Sequence, residues 1–503
     1  MASSFVRQLI GQIVFYAFGL FNYFLFLGLF IKNGTFFKKD TDQDKLQYDI
    51  GMAKALSHAD AFANDYIAER DRFWNLAKEP LPGFKHYFYA LRNGFKLHYL
   101  SNRAGPKSGS LVIFLHGFPD SSMIWRHLMQ ESAIPKNDAT LVCVDLPGYG
   151  GSDSLKVYDT EVLEALTEFI VAMRDKYIPE EETDSANTFV VGHDWGCVLG
   201  FRLAADAPCL ADRFILTNAP HVDLAIANKD RIVNSASKIF KQFKQSPKQN
   251  FGCLAKSFNT LKPLLLQTMM MGYIFMFNLP SFFVRSMGTA GNFSFLRGAN
   301  WSGYDKHSNE YRVQEGMAST FGPGPQECKS TLDDGTTYGP SVLRRAKSPG
   351  EAFWNMTGYY RDGIASQPWT KSLQTIADLY ALESSASESN SPSSRRRSSI
   401  SNHILFSEHM KGKLNAPAYV LWGEKDRACG KSICLDGLCD YLDKDSEVTI
   451  LPRSGHWTPV GKEARTALAT AIGLFAGKDA RPVPKMTAEV QKVYPDAVLM
   501  VKK

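Results

Sequence analysis

The chain has 503 residues, 44% of them apolar and 21% charged, enough to bury a core of domain size with length to spare. Its 57 basic and 51 acidic side chains leave a formal net charge of +6, too even a balance for a nucleic-acid-binding protein. The eight cysteines form no Cys-x-x-Cys pair and share no zinc-finger spacing with histidines, so free thiols are expected rather than a disulfide scaffold or a metal site.

In chain order, residues 9–31 carry no charge and are dominated by Phe, Leu, Ile, Val and Tyr. At ~1.5 Å per residue such a helix crosses a bilayer core of ~30 Å, and the run is too long, and too poor in small residues at its end, for a cleaved leader. Residues 1–32 are therefore read as a single transmembrane anchor. Arg7 and the α-amine flank the apolar run 9–31 on one side, and Lys32, Lys38 and Lys39 flank it on the other, a small excess that favours a cytoplasmic catalytic domain. Sequons at Asn33, Asn292, Asn300 and Asn355 count weakly the other way.

Residues 33–83 are expected to form a polar connector, helical in patches and lying over the domain, with no visible chemistry. Residues 86–91 and 95–100 flank Asn93-Gly94 and read as a hairpin. Apolar runs at 111–115, 141–144, 188–191, 214–217, 418–422 and 448–451, separated by helix-length segments, predict a mostly parallel sheet with helices on both faces. That sheet domain is expected in two halves, residues 84–219 and 406–478. Between them, residues 220–374 lose the strand rhythm and read as an inserted helical cap, whose seam with the sheet would hold the site.

Within the cap, residues 263–284 carry no charge. A second span there would separate residues that must meet, so an apolar pocket wall or a face dipping into the membrane is expected instead. Residues 375–405 are a linker, in which the Ser- and Arg-rich stretch 383–402 is expected to be disordered. The arginines before Ser398 and Ser399 suit a kinase, and a solvated loop without regulation is the competing reading. Residues 479–503 are expected to form a tail.

The chemistry centres on Gly192-His193-Asp194-Trp195-Gly196, directly after the run 188–191. This is the pattern of a nucleophile elbow, a strained strand-to-helix turn, with aspartate in the central position. A carboxylate attacks an epoxide or alkyl halide competently, giving an alkyl ester that water must cleave. His456 in Ser454-Gly455-His456-Trp457 is the candidate base, and Asp426 its orienting carboxylate, with Glu424 the alternative. His116-Gly117-Phe118-Pro119 follows the run 111–115, and the backbone N–H groups of Phe118 and Trp195 are expected to form the oxyanion hole.

His-Gly-Phe-Pro, Gly148-Tyr149-Gly150-Gly151-Ser152-Asp153 and Gly-His-Asp-Trp-Gly together resemble the α/β-hydrolase-fold epoxide hydrolases, in particular their membrane-anchored branch, over residues 84–477. Haloalkane dehalogenases share these motifs. The resemblance implies an α/β-hydrolase fold with a helical cap whose two tyrosines serve the epoxide oxygen. Tyr273 matches the first, with Asn278 where glutamine is common, and Tyr360, immediately before Arg361, matches the second, leaving Tyr359 as a substitute. It further implies conversion of epoxides to vicinal diols by water, without metal or cofactor, and the uncharged, Phe- and Met-rich stretch of the cap and the anchor favour apolar ones, lipid or xenobiotic. Detoxification and a single-pass position in the endoplasmic reticulum membrane go with that reading. The alternatives are a haloalkane dehalogenase, with Trp195 as a halide donor, and a catalytically inactive binding protein of the same fold.

Overall fold

The computed structural model describes residues 2–32, 61–182, 186–302, 312–388, 410–477 and 485–501. Its strands are β1 (Lys85–Ala90), β2 (Lys96–Ser101), β3 (Ser110–Leu115), β4 (Ala139–Val144), β5 (Thr188–His193), β6 (Arg213–Thr217), β7 (Ala418–Gly423), β8 (Glu447–Leu451) and β9 (Val498–Leu499). They form one sheet in the order β1-β2-β4-β3-β5-β6-β7-β8-β9. From β4 to β8 every pairing is parallel, whereas β1, β2 and β9 join antiparallel. All residues of β3, β4, β5 and β7 are buried, the physical reason for their unbroken apolar runs.

The helices are α1 (Ala2–Lys32), α2 (Ala61–Trp74), α3 (Glu161–Tyr177), α4 (Trp195–Asp206), α5 (Val222–Gln245), α6 (Phe251–Met270), α7 (Gly272–Phe277), α8 (Ser281–Trp301), α9 (Val313–Phe321), α10 (Pro340–Lys347), α11 (Pro349–Met356), α12 (Leu373–Glu388), α13 (Lys462–Ala476) and α14 (Met486–Gln491), besides shorter turns. The inserted segment between β6 and β7 opens with α5 to α11. Inside α8 the chain breaks at Ala290, with Gly291, Asn292 and Phe293 at positive φ.

The connector, expected to lie over the domain with helical patches, includes α2, which is tied to the cap: Trp74 Nε1 donates to the Ala318 carbonyl at 2.8 Å, and Arg70 pairs with Glu327 at 2.9 Å. Three other expectations change. Residues 383–388, expected to begin a disordered stretch, continue α12, because Leu379 and Leu382 are buried and Arg92 pairs with Asp378. The remainder of that stretch, with Ser398 and Ser399, lies outside the described residues. The tail is no tail, since α14 and β9 close the far edge of the sheet, and β9 is too short to show any period in sequence. Asn292, Asn300 and Asn355 are buried in the cap, which removes these three sequons as glycan sites of the folded chain; Asn33 lies outside the described residues.

Among the described residues one helix is long and apolar enough to cross a membrane, Gln8–Lys32 within α1. It lies against the cap instead of standing apart from it. The rings of Phe15 and Phe18 each come within 4.9 Å of Phe275, and the Tyr23 and Ser286 hydroxyls hydrogen-bond at 2.9 Å. The approach is close enough that a Cβ at Gly19 would sit 2.7 Å from the Phe275 carbonyl oxygen.

Candidate active site

Strand β5 delivers His193 into the elbow, where Asp194 takes φ 51 and ψ −118 before α4 begins. A non-glycine residue in such a region costs ~1–3 kcal/mol and persists only where its surroundings dictate it. Here they do: a Cβ at Gly196 would collide with the Leu115 carbonyl, and one at Gly117 with the Asp194 carboxylate. The Phe118 N–H donates to Asp194 Oδ1 at 2.7 Å. Trp195, the other expected oxyanion donor, is the first residue of α4, and its backbone nitrogen lies beside Gly117. His116 steadies this loop, accepting from the Leu146 N–H through Nε2 at 3.0 Å.

The carboxyl ends of β7 and β8 bring Asp426 and His456 to the same place. His456 Nδ1 stands 2.8 Å from Asp426 Oδ2, and its Nε2 stands 3.5 Å from Asp194 Oδ2. Asp426 Oδ1 accepts from the Ala428 and Cys429 amides at 2.7 and 2.9 Å, and Oδ2 accepts from Asn218 Nδ2 at 2.9 Å. Burial works against the charge of Asp426, but His456 and these donors hold its pKa below the usual carboxylate value. Burial likewise lowers the pKa of His456, yet the Asp426 and Asp194 carboxylates outweigh it and raise the value to about 10. The two neighbouring acids thus favour the protonated form of the imidazole. Glu424 is turned away, paired with Lys431 at 2.8 Å.

The two tyrosines of the cap meet above the elbow. Tyr360 lies 4.9 Å from the Trp195 ring, 5.6 Å from Phe118 and 5.9 Å from Tyr273, centroid to centroid. Tyr359 is spent elsewhere, donating its hydroxyl to the Pro147 carbonyl at 3.0 Å. Burial pushes the pKa of Tyr360 well up, and the Asp194 charge adds to this; for Tyr273, burial is reinforced by Cys429 and then Asp194. Both hydroxyls are thus kept protonated. The Trp195 indole N–H is buried without a full hydrogen bond, and its ring meets that of Tyr360 edge to face.

Three polar residues of the site escape a reading of the sequence. Asp120 is buried; burial raises its pKa, Arg126 offsets part of this, and Asp194 adds to it, leaving about 7. Its position directly after Pro119 was an available signal. Asn218, at positive φ at the end of β6, holds Asp426 while its Oδ1 accepts from the Gly423 N–H at 3.2 Å. A polar residue closing an apolar strand could have marked it. Gln267 of α6 donates to the Ala428 carbonyl at 2.8 Å and accepts from the Gly430 N–H at 2.6 Å, clasping the loop that carries the Asp426 donors. Nothing in its uncharged neighbourhood announces it.

Asp426, Cys429 and His456 each offer a metal-ligand atom within 4.8 Å of the others. Both Asp426 oxygens and His456 Nδ1 are already engaged in the hydrogen bonds above, so the cluster as built is an acid–histidine pair.

A parallel sheet with this elbow, a late acid and a last-strand histidine defines an α/β-hydrolase domain. Residues 110–258 match the alpha/beta hydrolase fold family. The chain resembles epoxide hydrolases of that fold: it is 31% identical to Epoxide hydrolase 3 of Mus musculus over 151 residues, covering 28% of this chain and 38% of the relative. It is 27% identical to Epoxide hydrolase 4 of Mus musculus over 190 residues, covering 37% of this chain and 49% of that protein. Less than half of either relative is thus matched. Among solved structures, a variant epoxide hydrolase from Bacillus megaterium complexed with its product aligns at 21% identity and a TM-score of 0.42, over 74% of this chain and 94% of that one.

Proposed function

We propose that this chain hydrolyses apolar epoxides to vicinal diols through an ester on Asp194. The observation that carries the reading is the convergence of Tyr273 and Tyr360 over the Asp194 elbow, since opening an epoxide leaves an alkoxide that needs a proton, whereas a departing halide needs none. In the first half-reaction Asp194 attacks a ring carbon, the carbon–oxygen bond breaks, and the oxygen takes a tyrosine proton. A raised tyrosine pKa does not oppose this, because an alkoxide is the far stronger base.

Esterification removes the Asp194 charge, one of the influences that hold His456 protonated. The imidazolium then yields its proton to the tyrosinate through solvent, and neutral His456 takes a proton from the attacking water. The Phe118 N–H stabilises the oxyanion at the ester carbonyl, with the Trp195 amide as the second donor. The collapsing intermediate passes its hydroxyl proton to the departing diol oxygen, leaving Asp194 ionised and His456 protonated as at the start. Asp426 keeps the imidazole in register throughout. We further read α1 as a membrane anchor, on its length and composition.

A single turnover in oxygen-18 water, with styrene oxide or a long-chain epoxy fatty acid, tests this. Mass spectrometry should find unlabelled oxygen transferred to the first diol and label in the peptide containing Asp194, both lost in Asp194→Ala. Folded protein that forms no diol from either epoxide overturns the reading, and halide release from a haloalkane would replace it.

A further inference from the structure

The relation of α1 to the cap carries a consequence for the membrane, resting on the reading of α1 as an anchor. Gln8–Lys32 spans 25 residues, about 37 Å of helix at ~1.5 Å per residue, against a bilayer core of ~30 Å. Its middle is not free. Phe15 and Phe18 pack on Phe275 of α7, Tyr23 on Phe283 and Phe26 on Phe295 of α8. If α1 lies among acyl chains, these contacts draw α7 and the start of α8 to the same depth. Several polar groups there are paired: Asn22 donates to the Phe18 carbonyl at 2.8 Å, Tyr23 bonds Ser286, and Arg285 pairs with Glu351.

The cap beside α1 has the matching surface. Along α6, Phe251, Phe258 and Leu265 recur two turns apart and Met269 follows one turn later, a single stripe with exposures of 70%, 59%, 55% and 72%. Its end is three residues from Gly272, which abuts Asn22 of α1. On the other side of α7, Phe282 is 73% exposed and continues the aromatic row through Phe283 to Tyr23. Large apolar side chains this exposed and this continuous mark a surface that is covered in use. Residues 231–304 contain no acidic side chain, and Lys238, Lys241, Lys244, Lys248 and Lys256 lie exposed on the α5–α6 hairpin.

We propose that the cap is itself a lipid-contacting element, in which Phe251, Phe258, Leu265, Met269 and Phe282 enter the acyl region of an anionic leaflet alongside α1. The occupant is a phospholipid bilayer, on two grounds: the stripe ends three residues from Gly272, where α7 meets α1, and the lysines beside it complement anionic headgroups. Apolar residues set the depth of insertion, and the lysines favour the anionic leaflet.

The test uses the full chain in phosphatidylcholine–phosphatidylserine vesicles, with a dansyl-bearing amino acid placed genetically at one position at a time. Acyl-chain spin-labelled lipids should quench the probe at Val14, Phe258, Met269 and Phe282, and leave it unquenched at Leu373 and Tyr380, exposed positions on α12. Quenching at Val14 with none at the three cap positions overturns the proposal while sparing the anchor. Quenching at the cap positions without Val14 supports it and removes the anchor, and no quenching at any of the four removes both. The triple change Lys238→Glu, Lys241→Glu and Lys244→Glu should cut quenching at Phe258 by more than half without altering that at Val14. Unchanged quenching at Phe258 would overturn the electrostatic part.

Discussion

Asn278 donates through Nδ2 to the Tyr360 carbonyl at 3.2 Å, and to the Ile274 carbonyl at 2.8 Å. One side chain thus ties the segment that carries Tyr273 to the residue that carries the other site hydroxyl. The departure from glutamine noted in the sequence still leaves an amide able to make this link. Asn278→Ala should let the tyrosines drift apart; a lost hydrogen bond of ~0.5–1.5 kcal/mol corresponds to a kcat lowered by up to about tenfold on a styrene oxide substrate. Asn278→Gln should recover most of it. Equal kcat in wild type and Asn278→Ala would dissociate the link from turnover.

The two adjacent tyrosines should behave oppositely. On the proposed mechanism Tyr360→Phe removes a proton donor and should lower epoxide turnover by about 10²–10⁴-fold with little change in melting temperature. Tyr359→Phe strands the Pro147 carbonyl and should lower stability by ~1 kcal/mol while the folded enzyme keeps its rate. Paired melting curves and kcat values decide between them; an inactive but stable Tyr359→Phe would reverse the assignment.

Gln267 acts on the acid of the triad only through the loop at Ala428 and Gly430. Gln267→Ala should slow hydrolysis of the ester more than its formation, because His456 needs Asp426 chiefly when it accepts the water proton. The expected sign is accumulation of the Asp194 ester in a burst experiment and a shifted pH dependence of kcat. A fall confined to KM would show that the clasp shapes the pocket instead.

Stability should carry the mark of His456. Its folded pKa, about 10, lies above the ~6.5 of an unfolded histidine, so its contribution is complete below that value and is lost as pH rises through about 10. The melting temperature should therefore fall between pH 7 and 10 by more in wild type than in Asp426→Asn, which removes the main charge that raises the value. Parallel curves for the two proteins would contradict the assignment.

Much of this protein was legible without coordinates, for local reasons. Strands buried on both faces must be apolar throughout, so β3 to β8 announced themselves, and a turn as strained as the elbow needs its glycines beside Asp194. Asp194, Asp426 and His456 follow the carboxyl ends of β5, β7 and β8 in chain order. Contacts between distant segments were not legible, because their partners follow no period. Gln267 looks like any residue of an apolar run until α6 meets the loop after β7, and the proposed preference for Tyr360 over Tyr359 rests on the Pro147 carbonyl engaging the Tyr359 hydroxyl. The same holds for α1: composition alone marks residues 9–31 as apolar enough for a membrane, but only packing reveals that Gly19 and Asn22 bind it to the helix of Tyr273. Sequence determines what each segment can bury, and the tertiary structure decides against what it is buried.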